Sequence, residues 1–384
     1  MSELSYLEKL LDGVEVEWRN LGDTSLFEIA NNGRKPVKAS LRIAGETPYY
    51  GANNIQDYVD GYTHDGEYVL IAEDGSASLE NYSIQYATGK FWANNHVHVV
   101  RGKERVHSRF LYHYLCIVNF LPFLTGGGRA KLTKGQLIEI PVPIPCPDNP
   151  EKSLAIQSEI VRILDKFTAL TAELTAELTM RKKQYNYYRD QLLSFKEDEV
   201  EGKRKTLGEI MKMRAGQHIS AHNIIERKEE SYIYPCFGGN GIRGYVKEKS
   251  HDGEHLLIGR QGALCGNVQR MKGQFYATEH AVVVSVMPGI NIDWAFHMLT
   301  AMNLNQYASK SAQPGLAVGK LQELKLFVPS IERQIYIAAI LDKFDTLTNS
   351  ITEGLPREIE LRQKQYEYYR DMLFSFLKPE VAEA

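Results

Sequence analysis

Few residue patterns in this 384-residue chain have the types and spacing to do chemistry, and each is weak. PCFGGNG at 235–241 has the glycines of a turn that could cradle S-adenosylmethionine, but its collinear counterpart, PYYGANN at 48–54, loses them. No Asn/Asp-Pro-Pro-Tyr/Phe methyl-transfer tetrapeptide occurs. GLAVGK (315–320) is one residue short of a phosphate-binding loop and runs into Leu321 where Ser or Thr is needed. Glu323-Leu324-Lys325 has the form of a nuclease triplet without a preceding Pro-Asp, and Ile140-Pro141 replaces Leu324-Lys325 in the other half. His64 and His251 open two HDG triplets, which read as turns. His96 and His280 follow aromatic residues on expected strands and read as core or hydrogen-bonded histidines. Cys116, Cys146, Cys236 and Cys265 are scattered without a CxxC pair, the pattern of reduced thiols rather than of zinc ligands or disulfides. The expectation is a chain with no catalytic residue, no bound metal and no cofactor of its own.

What remains is chemistry for binding. Tyr49, Tyr50, Asn53, Asn54 and Gln56 crowd one glycine-containing loop, and Asn240 and Arg243 occupy the matching loop of the second half. Arg129 and Lys131 follow a GGG turn, with Lys310 and Gln313 in the corresponding place, and Arg260 ends the stretch HLLIGR. Amides and guanidinium groups read base edges, while Lys and Arg hold phosphates. The net charge of −3 argues mildly against a nucleic-acid partner, but its distribution does not. Residues 21–145 carry 12 basic and 12 acidic side chains; residues 203–330 carry 16 and 10, a basic domain hidden by an acidic remainder.

The elements that position these residues come twice. ILDKF at 163–167 recurs at 340–344, and QYNYYRDQLLSF at 184–195 recurs as QYEYYRDMLFSF at 365–376. HDGEYVLI (64–71) matches HDGEHLLI (251–258), and FWANNHVHVV (91–100) matches FYATEHAVVV (275–284). All these matches are collinear, with offsets between 177 and 187. Each half opens with short alternating strands, passes through a helical stretch (RFLYHYL or DWAFHML) and closes on a long amphipathic helix. The apolar rows run Phe167, Leu174, Leu178, Tyr185, Tyr188 in the first helix and Phe344, Ile351, Tyr366, Tyr369 in the second. The first rod, from ILDKF to LLSF, has 33 residues and TAEL twice in succession; the second has 37, one helical turn more. Two such stripes bury best against each other, as an antiparallel pair. Gly354-Leu355-Pro356 predicts a bend or break in the second. The fold class is α+β: two tandem mixed α/β domains separated by two long antiparallel helices, with a pseudo-two-fold internal repeat. The expected boundaries are an N-terminal segment 1–20, a domain 21–150, a helix 151–200, a domain 201–330, and a helix with tail 331–384. No apolar run is long enough for a membrane span and the N-terminus shows no signal peptide, so a cytoplasmic location is expected.

The tandem arrangement of a globular region followed by ILDKF…QYxYYRDxLxSF resembles the DNA-specificity subunit of type I restriction–modification enzymes, and the TAEL repeat resembles the type IC branch. The resemblance runs from about Leu21 to Phe376. It implies that the globular regions are target-recognition domains for double-stranded DNA, and that the helices are spacers and docking sites for two modification (methyltransferase) subunits. It further implies S-adenosylmethionine on those subunits, ATP and magnesium on the restriction subunits, and a bipartite target. Two readings of another class stand beside it: a solitary DNA methyltransferase or nuclease, and a coiled-coil scaffold that binds protein.

Overall fold

The structure, a computed structural model, describes residues 13–126, 130–195, 200–262, 264–309 and 314–375. They divide into two compact units. One runs to Glu173 and resumes at Glu360; the other is Leu174–Ile359.

In the first unit the strands are β1 (Val16–Asn20), β2 (Phe27–Ile29), β3 (Ala44–Tyr50), β4 (Ile55–Val59), β5 (His64–Asp65), β6 (Tyr68–Ala72), β7 (Ile84–Ala87), β8 (Lys90–Ala93) and β9 (Val97–Gly102). Helices α1 (Ser108–Leu115) and α2 (Lys134–Leu137) and strand β10 (Pro141–Pro145) follow. One sheet has the order β2-β9-β6-β7 and a second β4-β3-β8-β5; β1 pairs with β10. The β-branched runs of β6 and β9 are buried because they are the inner strands, with neighbours on both edges. Helix α3 (Pro150–Leu193) then runs 44 residues without a break.

The second unit repeats the plan. It contains β11 (Gly202–Thr206), α4 (Leu207–Ile210), β12 (Met211–Ala215), β13 (Tyr234–Gly238), β14 (Gly241–Val246), β15 (Glu254–Gly259), β16 (Val268–Lys272), β17 (Tyr276–Ala277) and β18 (Ala281–Val286). After these come α5 (Ile292–Ala301), α6 (Val318–Glu323) and β19 (Lys325–Pro329). The sheets are ordered β12-β18-β15-β16 and β14-β13-β17, with β11 on β19. In both units one parallel pair stands among antiparallel ones, β3 on β8 and β13 on β17.

The second rod is two helices, α7 (Ile331–Asn349) and α8 (Gly354–Leu373). The break comes just before the expected glycine. Gly354 has φ +79°, and a Cβ there would meet the Thr346 carbonyl oxygen. Pro356 falls in the first turn of α8, where a missing N–H costs nothing. The four non-helical residues 350–353 equal in number the excess of the second rod over the first. They also correct one assignment: Ile351, placed in the apolar row, is 80% exposed because the row is interrupted there.

Each globular core is closed by helix from both halves of the sequence. Ile156, Ile160 and Leu164 from α3 join the first core, and so do Leu373 and Phe374 from the far end of the chain, with Tyr366 and Tyr369 packed against it. Ile337, Ala338 and Leu341 of α7 join the second core together with Tyr185. Phe167 stacks on Tyr369 at 5.1 Å in one unit, and Phe344 on Tyr188 at 5.5 Å in the other. Leu174 and Leu178 are half-buried on α3. Buried glutamines anchor the helix heads. Gln157 accepts from the His107 amide at 2.8 Å, at the start of α1, and Gln334 accepts from the Asn291 amide at 2.9 Å, at the start of α5.

Candidate nucleic-acid interface

Both units gather the same set of loops at the ends of their central strands. In the first, the turn between β3 and β4 carries Asn53, whose amide donates to the Gly75 carbonyl and accepts from the Ala77 amide, each at 2.8 Å. That ties the turn to the loop after β6. Gln85 on β7 donates to the Gly51 carbonyl at 2.9 Å. A Cβ at Gly51 would collide with the Gln56 amide, and one at Gly238 with the Arg243 side chain, so glycine lets each long side chain lie across its turn. In the second unit a Cβ at Gly239 would stand 2.8 Å from the Gln261 carbonyl oxygen and 3.2 Å from that of His280, which places Asn240's turn against both.

Asn53, Gln56, Lys131, Asn240 and Arg243 are exposed at these loop ends, and Arg260 is half-buried at the end of β15. The two tyrosines sit differently. Tyr49 is 1% exposed, its hydroxyl accepts from the Val37 amide at 3.0 Å, and the Arg42 guanidinium lies 4.1 Å from its ring centre. Tyr50 is half-buried, edge-on to Phe91. Both support the loop from beneath. Arg129, Lys310 and Gln313 lie outside the described residues, as does Phe376.

Electrostatically the two loop sets differ. Glu73 accepts from Arg34 at 2.6 Å and faces Lys131 at 3.1 Å. Burial pushes its carboxyl up, and the hydrogen bonds from those two cations outweigh it, leaving it below its ordinary value. The same position in the second unit is Arg260, which reaches the carbonyls of Leu316 and Glu279. The second set is thus cationic where the first is internally neutralised.

Reading the residues alone missed one feature. His96 Nδ1 lies 2.6 Å from Asp74 Oδ1, and His280 Nδ1 lies 2.5 Å from Gln261 Oε1. Of the two expected roles, core or hydrogen-bonded, these histidines take the second: they lie in the turns before β9 and β18, with side chains 48% and 37% exposed. The only signal in the sequence was their collinearity. His64 and His251, read as turn residues, stack on Phe91 and Phe275 at 5.1 and 5.2 Å; His64 belongs to β5 and is buried. Among the described residues no group of three or more His, Cys, Asp or Glu is placed to hold a metal, and no helix is long and apolar enough to cross a membrane.

Residues 14–180 and 199–361 each match the family model described as the type I restriction modification DNA specificity domain. The chain is 66% identical to the EcoprrI type I restriction enzyme specificity subunit of Escherichia coli, over 92% of this chain and 93% of that one. It is 46% identical to a putative type I restriction enzyme specificity subunit of Haemophilus influenzae, over 97% and 98%. The crystal structure of a type I restriction–modification S subunit from M. genitalium shares the fold, with a TM-score of 0.66 at 16% identity, over 97% of this chain and 98% of that one. Two matched domains, each with its own loop set, and relatives similar along nearly their whole length establish that the chain belongs to the family of type I restriction–modification DNA specificity subunits.

Proposed function

We propose that the chain reads a bipartite, asymmetric DNA target, one half-site per unit, without performing catalysis. The observation that carries this reading is the pair of loop sets: one backbone frame presents Glu73, Asp74 and Gln56 in the first unit but Arg260, Gln261 and Arg243 in the second. Equal frames with unequal hydrogen-bonding groups call for different bases. The domains would correspond to residues 21–150 and 201–330. Tyr49 and Tyr50 would act by shaping their loop; Asn53, Gln56, Asn240 and Arg243 would reach base edges; Lys131 and Arg260, with Arg129, Lys310 and Gln313, would reach phosphate or base. The long helices, through residues such as Phe167, Tyr188, Phe344 and Tyr369, would pair with each other and dock two methyltransferase subunits. S-adenosylmethionine would reside on those subunits, and ATP with magnesium on restriction subunits, in the bacterial cytoplasm. The test is to assemble the chain with its modification partner on random-sequence DNA and recover what is methylated. Two defined blocks flanking an indifferent gap are expected; methylation without sequence preference would refute the reading.

A further inference from the structure

We propose that Asp74 and Gln261 set which base each unit accepts, by fixing the hydrogen-bonding sense of the histidine each one holds. The inference rests on the units' being DNA readers and names a specificity determinant within each.

The two pairs occupy one frame. The Glu73 amide donates to the His96 carbonyl, and the Arg260 amide to the His280 carbonyl, both at 2.8 Å. On the other side the Leu132 amide donates to the Glu73 carbonyl and the Leu316 amide to the Arg260 carbonyl. Other paired histidines are spent on packing: His64 and His251 stack on phenylalanines, and the side chains of His113 and His297 are fully buried. His96 and His280 are instead half-exposed: His96 on Asp74, next to the Gly75 that holds Asn53, and His280 with its carbonyl against Asn240's turn.

The partner decides what the ring offers. A carboxylate only accepts, so His96 Nδ1 carries the hydrogen and donates to Asp74. In the neutral ring Nε2 is then an acceptor, suited to the exocyclic amino group of adenine or cytosine. Gln261 turns its amide oxygen to the ring, so His280 Nδ1 donates to Oε1. Glu279 Oε1 stands 3.5 Å from His280 Nε2, where the first unit has Asn95, so the outer nitrogen of the second ring faces a carboxylate that the first ring lacks. The two pairs therefore share one sense at Nδ1 and differ in what faces Nε2, on the same backbone and with the same imidazole.

The experiment uses the full chain assembled with its modification subunits and recovers the methylated sequence from a random library. It compares the wild type with Asp74→Asn, His96→Gln and Gln261→Glu. Asp74→Asn should change the preference at one position of one half-site, by roughly ten- to a hundredfold, the discrimination that one good base contact provides. His96→Gln should alter that same position, and Gln261→Glu one position of the other half-site. Thermal melting should stay at the wild-type value, since the pairs are exposed. Variants that recover the wild-type sequence, weaken every sequence alike, or alter both half-sites would overturn the proposal. A wild-type complex that selects no two-block sequence would overturn the DNA-reading role itself, and this inference with it.

Discussion

The hydroxyl of Tyr366 lies 3.4 Å from Nδ1 of His113, a residue 253 positions earlier in the chain. Tyr185 stands at the same distance from His297 Nδ1. On its other nitrogen each imidazole meets a carboxylate at 2.8 Å, Asp165 or Asp342. A guanidinium closes both clusters, but from different elements. Arg109 of α1 binds Asp165 and lies over Tyr86 and Tyr112; Arg270 of β16 binds Asp342 and Asp293 and lies over Phe296. Tyrosine, histidine, aspartate and arginine together resemble a proton relay, yet the histidine side chains are fully buried. Their work is to seat a helix tail on a globular body.

Acid should loosen that seat. Burial pushes the His113 imidazole down to about 4, against the opposing hydrogen bond to Asp165, and burial lowers His297 as well. A ring kept neutral in the folded chain, while the unfolded chain takes up a proton, withdraws stability as pH falls. The contribution is whole above about 6.5 and is lost toward about 4, on the order of 3 kcal/mol for His113. Denaturant midpoints across this window should fall for the wild type and flatten in the His113→Asn/His297→Asn double variant. Equal slopes would show that other groups govern acid unfolding.

The tyrosines should act on the unit in which they are buried. Tyr185 is 8% exposed, and Tyr185→Ala leaves a cavity costing about 3–5 kcal/mol. Amide exchange should quicken in β15 and β18 and stay unchanged in β6 and β9; Tyr366→Ala should do the reverse. Uniform acceleration in both units would contradict the division of the cores.

Base-edge and phosphate residues should separate by experiment. Arg243→Ala or Asn240→Ala should relax one half-site only, by about 1–3 kcal/mol. Lys131→Ala should weaken all sequences alike and make binding less steep in salt. A titration of specific and scrambled duplexes at several salt concentrations distinguishes the two, and identical behaviour of the three variants would remove the distinction.

The TAEL repeat should tolerate change only in whole turns. One added TAEL contributes four residues against 3.6 per turn, nearly preserves the apolar face, and lengthens α3 by about 6 Å. The gap between half-sites should widen by about one to two base pairs with the half-site bases unchanged. Two added residues turn the face by about 200° and should abolish assembly. A methylated sequence with the same gap after a TAEL insertion would refute the reading of the helices as spacers that set the gap.

Much of this architecture was legible in the sequence because duplication acts as an internal alignment. ILDKF and QYxYYRD marked both long helices, and Gly354 marked the break. Which tail seats on which body was not legible: Tyr185 and Tyr366 sit in identical motifs, and nothing local distinguishes partners far apart in sequence. The exchange of Arg109 for Arg270 was hidden for the same reason, since a guanidinium reaches one carboxylate from two elements. At the loops, exposed polar residues announced themselves, whereas the Asp74–His96 pair joined segments whose proximity only the sheet order creates.

The seating of Leu373 and Phe374 in the first core bears on the order of synthesis. A ribosome delivers Val16 through Leu164 first, but Leu373 and Phe374, which close their core, emerge only after all of Leu174–Ile359. The second unit, Leu174–Ile359, is one uninterrupted stretch and can fold as soon as it has left the exit tunnel. Nascent chains usually complete their N-terminal domain first. Here the half translated first waits, its apolar face uncovered, until the whole second unit has been made.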